Sequence, residues 1–421
     1  MSELYRANTP DRFWRLLSPQ PTEEQWTAAA GQAAHVLPPE ARDHDIGSLL
    51  GHVLGERQFG PNHWRLGWAT RAYYRLKPVL PRAATRPMRR VYGARRGEAQ
   101  RLGWPVEPRY VDFQHATVHH ALHATGHASA QFIDFWPGGA RYAFVLTHDI
   151  ETAEGQMHAR RVADLDASFG FRSSFNFVPE RYRLDRELME DLRNGGFEVG
   201  VHGLKHDGRD FISHSVFARR ARAMNRHIAE FGAVGFRAPL THRNPRWMQD
   251  LDIEYDSSFF DTDPFEPIAG GTMSIWPFQL GRFVELPYTL AQDYTITAVL
   301  NETTPRLWLQ KVDYIAANRG MALLNTHPDY LRNPVTWNVY EGFLREMSLR
   351  ADYHHALPRD VARWWRARSG AALAGDLEGG IASTIHVRDG RVEFSDRRAA
   401  SPTDRHASRT AGARSNAGRT A

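Results

Sequence analysis

Two histidines four residues apart, His202 and His206, lie in the segment "FEVGVHGLKHDGRDF", directly after a strand-like run. Imidazole nitrogens at this spacing can bind a single ion at about 2 Å each. Because the chain has no cysteine, any metal must be held by His, Asp or Glu. The segment "FVLTHDIE" offers Asp149 and Glu151 as carboxylate ligands after a second strand-like run. The pattern indicates a site for a divalent metal; taken alone, the histidine pair is equally compatible with surface or capping residues.

The elements around these residues alternate between strand and helix from about residue 142 to about residue 350. The strand-like segments are "YAFVLTH", "FRSSFNFV", "FEVGVH", "VGFRAP", "IEYDSS" and "MALLNTH". This alternation predicts βαβ units around a parallel sheet, open or closed into a barrel. In such folds, functional side chains collect at the carboxyl ends of the strands. Most of these segments end in polar residues, so we expect their side chains to meet at one edge of the sheet.

Five segments of this region, "YAFVLTHDIE", "GVHGLKH", "GFRAP", "YDSSF" and "LLNTHPDY", resemble in this order the five motifs of the polysaccharide deacetylase family. The family is also called the NodB homology domain or carbohydrate esterase family four. The resemblance covers about residues 140 to 350, roughly half of the chain. It implies an α/β fold, a distorted (β/α) barrel, in which one Asp and two His hold a divalent ion, usually zinc. It also implies hydrolysis of the acetamide or acetate of acetylated sugars.

The resemblance assigns the metal histidines to His202 and His206. The first motif departs from the family, because most members have two adjacent Asp and this chain has Asp149, Ile150 and Glu151. By analogy with members that space their acids by one residue, Asp149 is the general base and Glu151 the metal carboxylate. The opposite assignment, with Asp149 on the metal, stays open.

Two further residues receive catalytic roles from the same motifs. Arg237 in "GFRAP" would hold the base carboxylate by a charge-assisted hydrogen bond; a surface ion pair is the alternative. His327 in "LLNTHP" would be the general acid that protonates the departing amine. Asp256 and Asp293 would orient neighbouring side chains, or cap a helix or turn.

Leu324 and Trp276 are candidates for an apolar pocket around the acetyl methyl group. Leucine and tryptophan at strand ends are also ordinary core residues.

The 421 residues are 42% hydrophobic, enough for one large domain with additions or for two domains. A helical preamble begins with a capping box at Thr22 and Gln25. After the barrel, "STIHVRDGRVEFS" predicts a hairpin turning at Asp389 and Gly390. The predicted organisation is a helical extension over 1–135, the barrel over 136–365, the hairpin over 366–396 and a disordered tail over 397–421.

The positive charge of the chain is concentrated in residues 61–100, which hold ten Arg or Lys against one Glu. Their interleaved Trp and Tyr residues suit an anionic membrane surface or a lipid-linked glycan. The alternative is an arm packed on the acidic outer surface of the barrel. Because the excess charge lies in this segment and the tail, a specific nucleic-acid partner is not expected.

No run approaches the roughly 20 apolar residues that span a bilayer, and the first residues lack the apolar core of a secretory signal. We therefore expect a cytoplasmic protein, with peripheral contact to the inner face of the membrane as an option. The leading hypothesis is a metal-dependent hydrolase of non-peptide carbon–nitrogen bonds that removes acetyl groups, on nitrogen in preference to oxygen, from a polysaccharide or lipid-linked glycan. The alternatives are a hydrolase of non-sugar amides and a catalytically degenerate glycan-binding protein.

Overall fold

The computed structural model describes residues 2–42, 45–61, 63–64 and 102–395. Most of the basic segment 61–100 and the whole tail 397–421 lie outside these residues, so the expectations for both stay predictions. Within the described residues, no helix has the length and apolar character needed to cross a membrane.

The strands are β1 Leu16–Ser18, β2 Ser129–Ile133, β3 Tyr142–Ile150, β4 Ser174–Phe177, β5 Glu198–His202, β6 Gly235–Arg237, β7 Tyr255–Asp256, β8 Phe278–Leu280, β9 Phe283–Glu285, β10 Met321–Thr326, β11 Tyr353–His355, β12 Ala382–Arg388 and β13 Arg391–Phe394. The α-helices are α1 Pro10–Trp14, α2 Glu23–Ala33, α3 Pro39–Arg42, α4 Ile46–Val53, α5 Arg109–Ala124, α6 Ala153–Ser168, α7 Arg186–Asn194, α8 His214–Phe231, α9 Arg306–Ala317, α10 Pro328–Leu331, α11 Pro334–Ser348 and α12 Pro358–Gly370. Short 3-10 helices span Ser2–Asn8, Ala34–Val36, Arg57–Phe59, Pro137–Gly139, Pro239–Thr241, Trp247–Asp250 and Ala374–Asp376, and a π-helical turn spans Thr295–Val299.

The main sheet runs in the order β10-β3-β4-β5-β6-β7-β9-β8, and its neighbouring strands are parallel except for β8 and β9. The chain beyond β9 then pairs in parallel with β10, where Leu290 lies opposite Leu324. The sheet is therefore strongly curled, and β11 lies beside the first residues of β3. The predicted distorted (β/α) barrel is confirmed.

The local sequence explains why helices begin soon after the strands. All nine residues of β3 are buried, as expected for a strand of a parallel sheet that is covered on both faces. The side chains of Thr152, Asp185 and Ser213 each accept a hydrogen bond from a backbone N–H in the first turn of α6, α7 and α8. These N-caps satisfy donors that a helix start leaves unpaired, and they turn the chain back along the barrel.

The N-terminal region is mostly helical, as predicted, and its capping box forms between Thr22 and Gln25. It also contributes β1 and β2 to a second, antiparallel sheet in the order β1-β2-β12-β13. The last two of these strands form the predicted hairpin, with Asp389 and Gly390 in the left-handed region at its turn. Trp14 and Ile385 belong to the same buried apolar cluster as the barrel strands, so extension, hairpin and barrel share one core.

Candidate active site

Three predicted metal ligands come together at the carboxyl ends of β3 and β5. Glu151 directly follows β3, His202 ends β5, and the next loop returns His206 to the same place. One ligand atom of each lies within 4.8 Å of the other two, and His206 Nε2 is 3.1 Å from Glu151 Oε1. In the part of the chain that the structure describes, no other group of three His or carboxylate side chains has ligand spacing. Asp149 is outside this group.

Backbone contacts orient these ligands. His202 Nδ1 lies 3.2 Å from the Arg237 carbonyl oxygen, so this nitrogen donates and Nε2 is left free to bind an ion. Gly203 has a φ of +61°, and a Cβ there would lie 2.4 Å from the ring of Pro239. A glycine is thus required for the chain to turn between the two histidines. The Glu151 backbone N–H donates to Asp329 Oδ2 at 2.9 Å, which fixes the start of the acidic ligand.

The protonation states of Glu151 and His202 fit a metal site. Burial raises the pKa of Glu151, but the neighbouring His206 outweighs it and, with His327 and His202, holds this pKa well below its usual range. Burial lowers the pKa of His202 to about 4. An ionised carboxylate and a neutral imidazole are the forms that bind a divalent ion. One carboxylate and two imidazoles match catalytic zinc sites, which keep a fourth position for water or substrate.

Asp149 is a separate buried carboxylate next to this group, with Oδ2 3.9 Å from His202 Nδ1. Asn176 Nδ2 donates to its Oδ1 and Asn325 Nδ2 to its Oδ2, both at 2.9 Å. Burial raises the pKa of Asp149, but His202, Arg237, His327 and the Asn176 amide outweigh it, so the pKa lies below its ordinary value. Asp149 is therefore ionised and held at both oxygens.

Arg237 approaches Asp149 without hydrogen bonding to it. Its Nε is 3.6 Å from Asp149 Oδ1, which is the distance of an ion pair. Its Nη2 donates instead to the hydroxyls of Thr147 and Ser257, each at 3.0 Å. The expected charge-assisted hydrogen bond does not form, and the carboxylate oxygens accept instead from the two asparagine amides.

His327 follows β10 and is fixed by Asp293. Its Nδ1 lies 2.8 Å from Asp293 Oδ1, and its backbone N–H donates to Oδ2 at 2.9 Å. Burial lowers the pKa of His327, but Asp293, Glu151 and Asp149 outweigh it and raise the pKa to about 10. The imidazole is therefore protonated at neutral pH, with Nδ1–H held by Asp293, as a general acid requires.

The two residues of the predicted acetyl pocket, Leu324 and Trp276, lie far apart in the structure. Leu324 is fully buried in β10, opposite Leu146 of β3 and one residue before Asn325. Trp276 is fully buried at the other end of the barrel, where its indole N–H donates to the Arg319 carbonyl just before β10. The site lies at the far end of that strand, roughly 20 Å away at about 3.3 Å per residue. The structure therefore does not bring Trp276 to the site.

The sequence analysis gave no role to Asn176 or Asn325, the two residues that hold Asp149. The available signal was a polar side chain inside the apolar runs "FNFV" and "LLNTH", because a buried amide needs hydrogen-bond partners. The partner itself could not be read from the sequence.

Neither a known family model nor a curated protein matches the sequence. Among solved structures, a putative polysaccharide deacetylase from Mycobacterium smegmatis is 20% identical, with a TM-score of 0.45, over 55% of this chain and 93% of that chain. Puue allantoinase is 15% identical, with a TM-score of 0.45, over 56% of this chain and 94% of its own. A probable polysaccharide deacetylase from Pseudomonas aeruginosa PAO1 is 16% identical, with a TM-score of 0.42, over 56% and 94%. These matches include the family that the five sequence motifs resemble.

Proposed function

We propose that the protein is a metal-dependent hydrolase that removes acetyl groups from the amide nitrogen of acetylated sugars, in a polysaccharide or a lipid-linked glycan. The observation that carries the proposal is the convergence of Glu151, His202 and His206 beside an ionised Asp149 and a protonated His327. Ligands, base and acid of an amide hydrolysis are thus present at one edge of the barrel.

Glu151, His202 and His206 would hold the ion, with zinc as the expected metal. A divalent ion bound there supplies Lewis-acid polarisation of the acetyl carbonyl and a water of lowered pKa. Asp149, ionised and fixed at both oxygens, accepts a proton from the attacking water. His327 donates its Nε2 proton to the departing amine, since Asp293 holds its Nδ1. Proton acceptor and donor are then separate groups whose surroundings keep them in opposite charge states.

The first experiment compares metal content and acetate release in the wild type and in a His202→Ala, His206→Ala double variant. The substrate is a set of N-acetylglucosamine oligomers. We expect about one equivalent of zinc in the wild type, and loss of both metal and acetate release in the variant. His214→Ala is the matched control, because this side chain is 63% exposed and lies outside the site.

Two results would redirect the proposal. Bound metal without acetate release, together with hydrolysis of small cyclic amides, would indicate a non-sugar amide hydrolase. A wild type that binds no metal even after reconstitution with zinc would leave a glycan-binding protein with a degenerate site.

The membrane or lipid-linked glycan contact remains a proposal that rests on the composition of residues 61–100. Sedimentation with anionic vesicles but not with neutral ones would support it, and equal sedimentation would remove it. The cytoplasmic location is likewise a prediction, and fractionation of cells expressing the protein tests it.

A further inference from the structure

The carboxylate of Asp149 is held from both sides by amide side chains. Asp149 lies in β3, between β4 and β10. Asn176 is its direct register partner in β4, and Asn325 lies in β10 opposite Thr147. The two amides donate to different oxygens of Asp149, each at 2.9 Å. All three side chains are at least nine-tenths buried, so bulk water does not substitute for these contacts.

Hydroxyl groups pair with the oxygen of each amide. Ser174 Oγ donates to Asn176 Oδ1 at 3.0 Å. Thr147 Oγ1 lies 3.0 Å from Asn325 Oδ1. A flipped amide would put its oxygen against a carboxylate oxygen, and two acceptors repel each other, so the NH2 groups must face Asp149. The carboxylate therefore fixes both asparagines as donors, and the two hydroxyls satisfy their amide oxygens.

A glycine on the adjacent strand makes room for this arrangement. Gly200 of β5 lies opposite Asn176, and a Cβ at this position would be 2.1 Å from Asn176 Oδ1. Any other residue would displace the amide. Gly200 thus leaves the space that the Asn176 amide needs to contact Asp149.

We propose that Asn176 and Asn325 are positioning residues for the hydrolytic step, acting through Asp149; this rests on the proposed function, in which Asp149 accepts the proton of the attacking water. Each carboxylate oxygen has about two acceptor positions, and each amide occupies one of them. The remaining positions have a fixed direction, because both oxygens are tethered to neighbouring strands. Arg237, at 3.6 Å, contributes charge near Asp149, whereas the amides set its orientation.

The test is a steady-state comparison of the wild type, Asn176→Leu and Asn325→Leu, with zinc content measured on the same samples. Leucine keeps the approximate volume and removes the donor. We expect kcat for acetate release to fall by about 10- to 100-fold, with KM within about twofold and zinc at wild-type stoichiometry. Asn338→Leu is the control, because Asn338 is exposed on α11 and its replacement should leave kcat unchanged.

A further variant keeps the proposal testable if an asparagine variant fails to fold. Ser174→Ala removes the hydroxyl that donates to Asn176 and leaves the hydrogen bonds of Arg237 in place, so kcat should fall, but by less than in Asn176→Leu. Unchanged kcat in both asparagine variants would overturn the proposal. Loss of zinc in parallel with kcat would also overturn it, because the amides would then act on the metal site. A wild type that releases no acetate would instead refute the proposed function.

Discussion

Replacing Glu198 with glutamine should stabilise the protein at alkaline pH and leave its stability nearly unchanged at acidic pH. Glu198 begins β5 at the end of the barrel opposite the site, and it is 2% exposed. Tyr255 Oη donates to its Oε1 at 2.9 Å, and the Arg359 backbone N–H donates to its Oε2 at 3.2 Å. Burial outweighs both contacts and raises the pKa of Glu198 to about 7.

The magnitude follows from proton linkage. The ordinary pKa is 4.5 and the folded pKa about 7, so the two differ by about 2.5, which at 1.36 kcal/mol per pH unit gives about 3.4 kcal/mol. Below pH 4.5 the carboxyl is protonated in both folded and unfolded chains, and the glutamine variant should resemble the wild type. Between pH 4.5 and 7 the unfolded chain ionises first, so wild-type stability falls as pH rises. Above pH 7 the difference levels off near 3 kcal/mol in favour of the variant.

The assay is urea denaturation of the wild type and Glu198→Gln at several pH values from 4.5 to 8.5. The amide can accept from the Arg359 N–H and donate to the Tyr255 oxygen, so any change in hydrogen bonding adds an offset that does not vary with pH. Glu190→Gln, exposed on α7, is the control for replacing a surface carboxylate with an amide. A flat difference for Glu198→Gln itself would refute the reasoning, since no ionisation would then be linked to folding at this position.

Three other outcomes are expected. Glu56→Gln should lower the free energy of unfolding by about 3 to 5 kcal/mol, measured by denaturant titration. Glu56 accepts two hydrogen bonds from the buried guanidinium of Arg243, and this ion pair joins the N-terminal region to the barrel. A loss below about 1 kcal/mol would contradict this. Asp293→Asn should lower kcat by about 100-fold or more, because it removes the charge that keeps His327 protonated, and unchanged initial rates would exclude His327 as the acid. Removal of metal by a chelator should lower the thermal midpoint, since zinc at 1,000 times its Kd adds about 4 kcal/mol to the folded state; identical melting curves with and without zinc would count against the site.

The barrel could be predicted from the sequence because its signals are local. A strand such as β3 begins with the continuous apolar run "YAFVL", and the helix after it carries its own cap. Parallel strands place their carboxyl ends at one edge, so polar residues after β3 and β5 were expected to meet there. The ligand roles of Glu151, His202 and His206 came from the resemblance of the motifs. These inferences need only the hydrophobic period of each segment and the direction of the chain. Both can be read from a single sequence.

Predicting the contacts between strands requires the register of the strands, which cannot be read from the sequence. Asn176 and Asn325 meet Asp149 from 27 and 176 residues away, and a shift of one residue would turn either amide to the other face. Trp276 was misjudged for a related reason. Its position depends on a contact 43 residues away, because its indole N–H donates to the Arg319 carbonyl just before β10, at the opposite end of that strand from the site.

The spacing of the two acids gains a physical explanation from strand geometry. Side chains in extended chain alternate between faces, so residues two apart point to the same side. Ile150, between the acids, is fully buried in the apolar core, while Asp149 and Glu151 both face the histidines. An Asp-Ile-Glu sequence at the end of β3 therefore presents two carboxylates to one site and needs no additional turn. The longer side chain at 151 reaches His206, and the shorter one at 149 stays between the two amides. This division supports Glu151 as the metal carboxylate and Asp149 as the base.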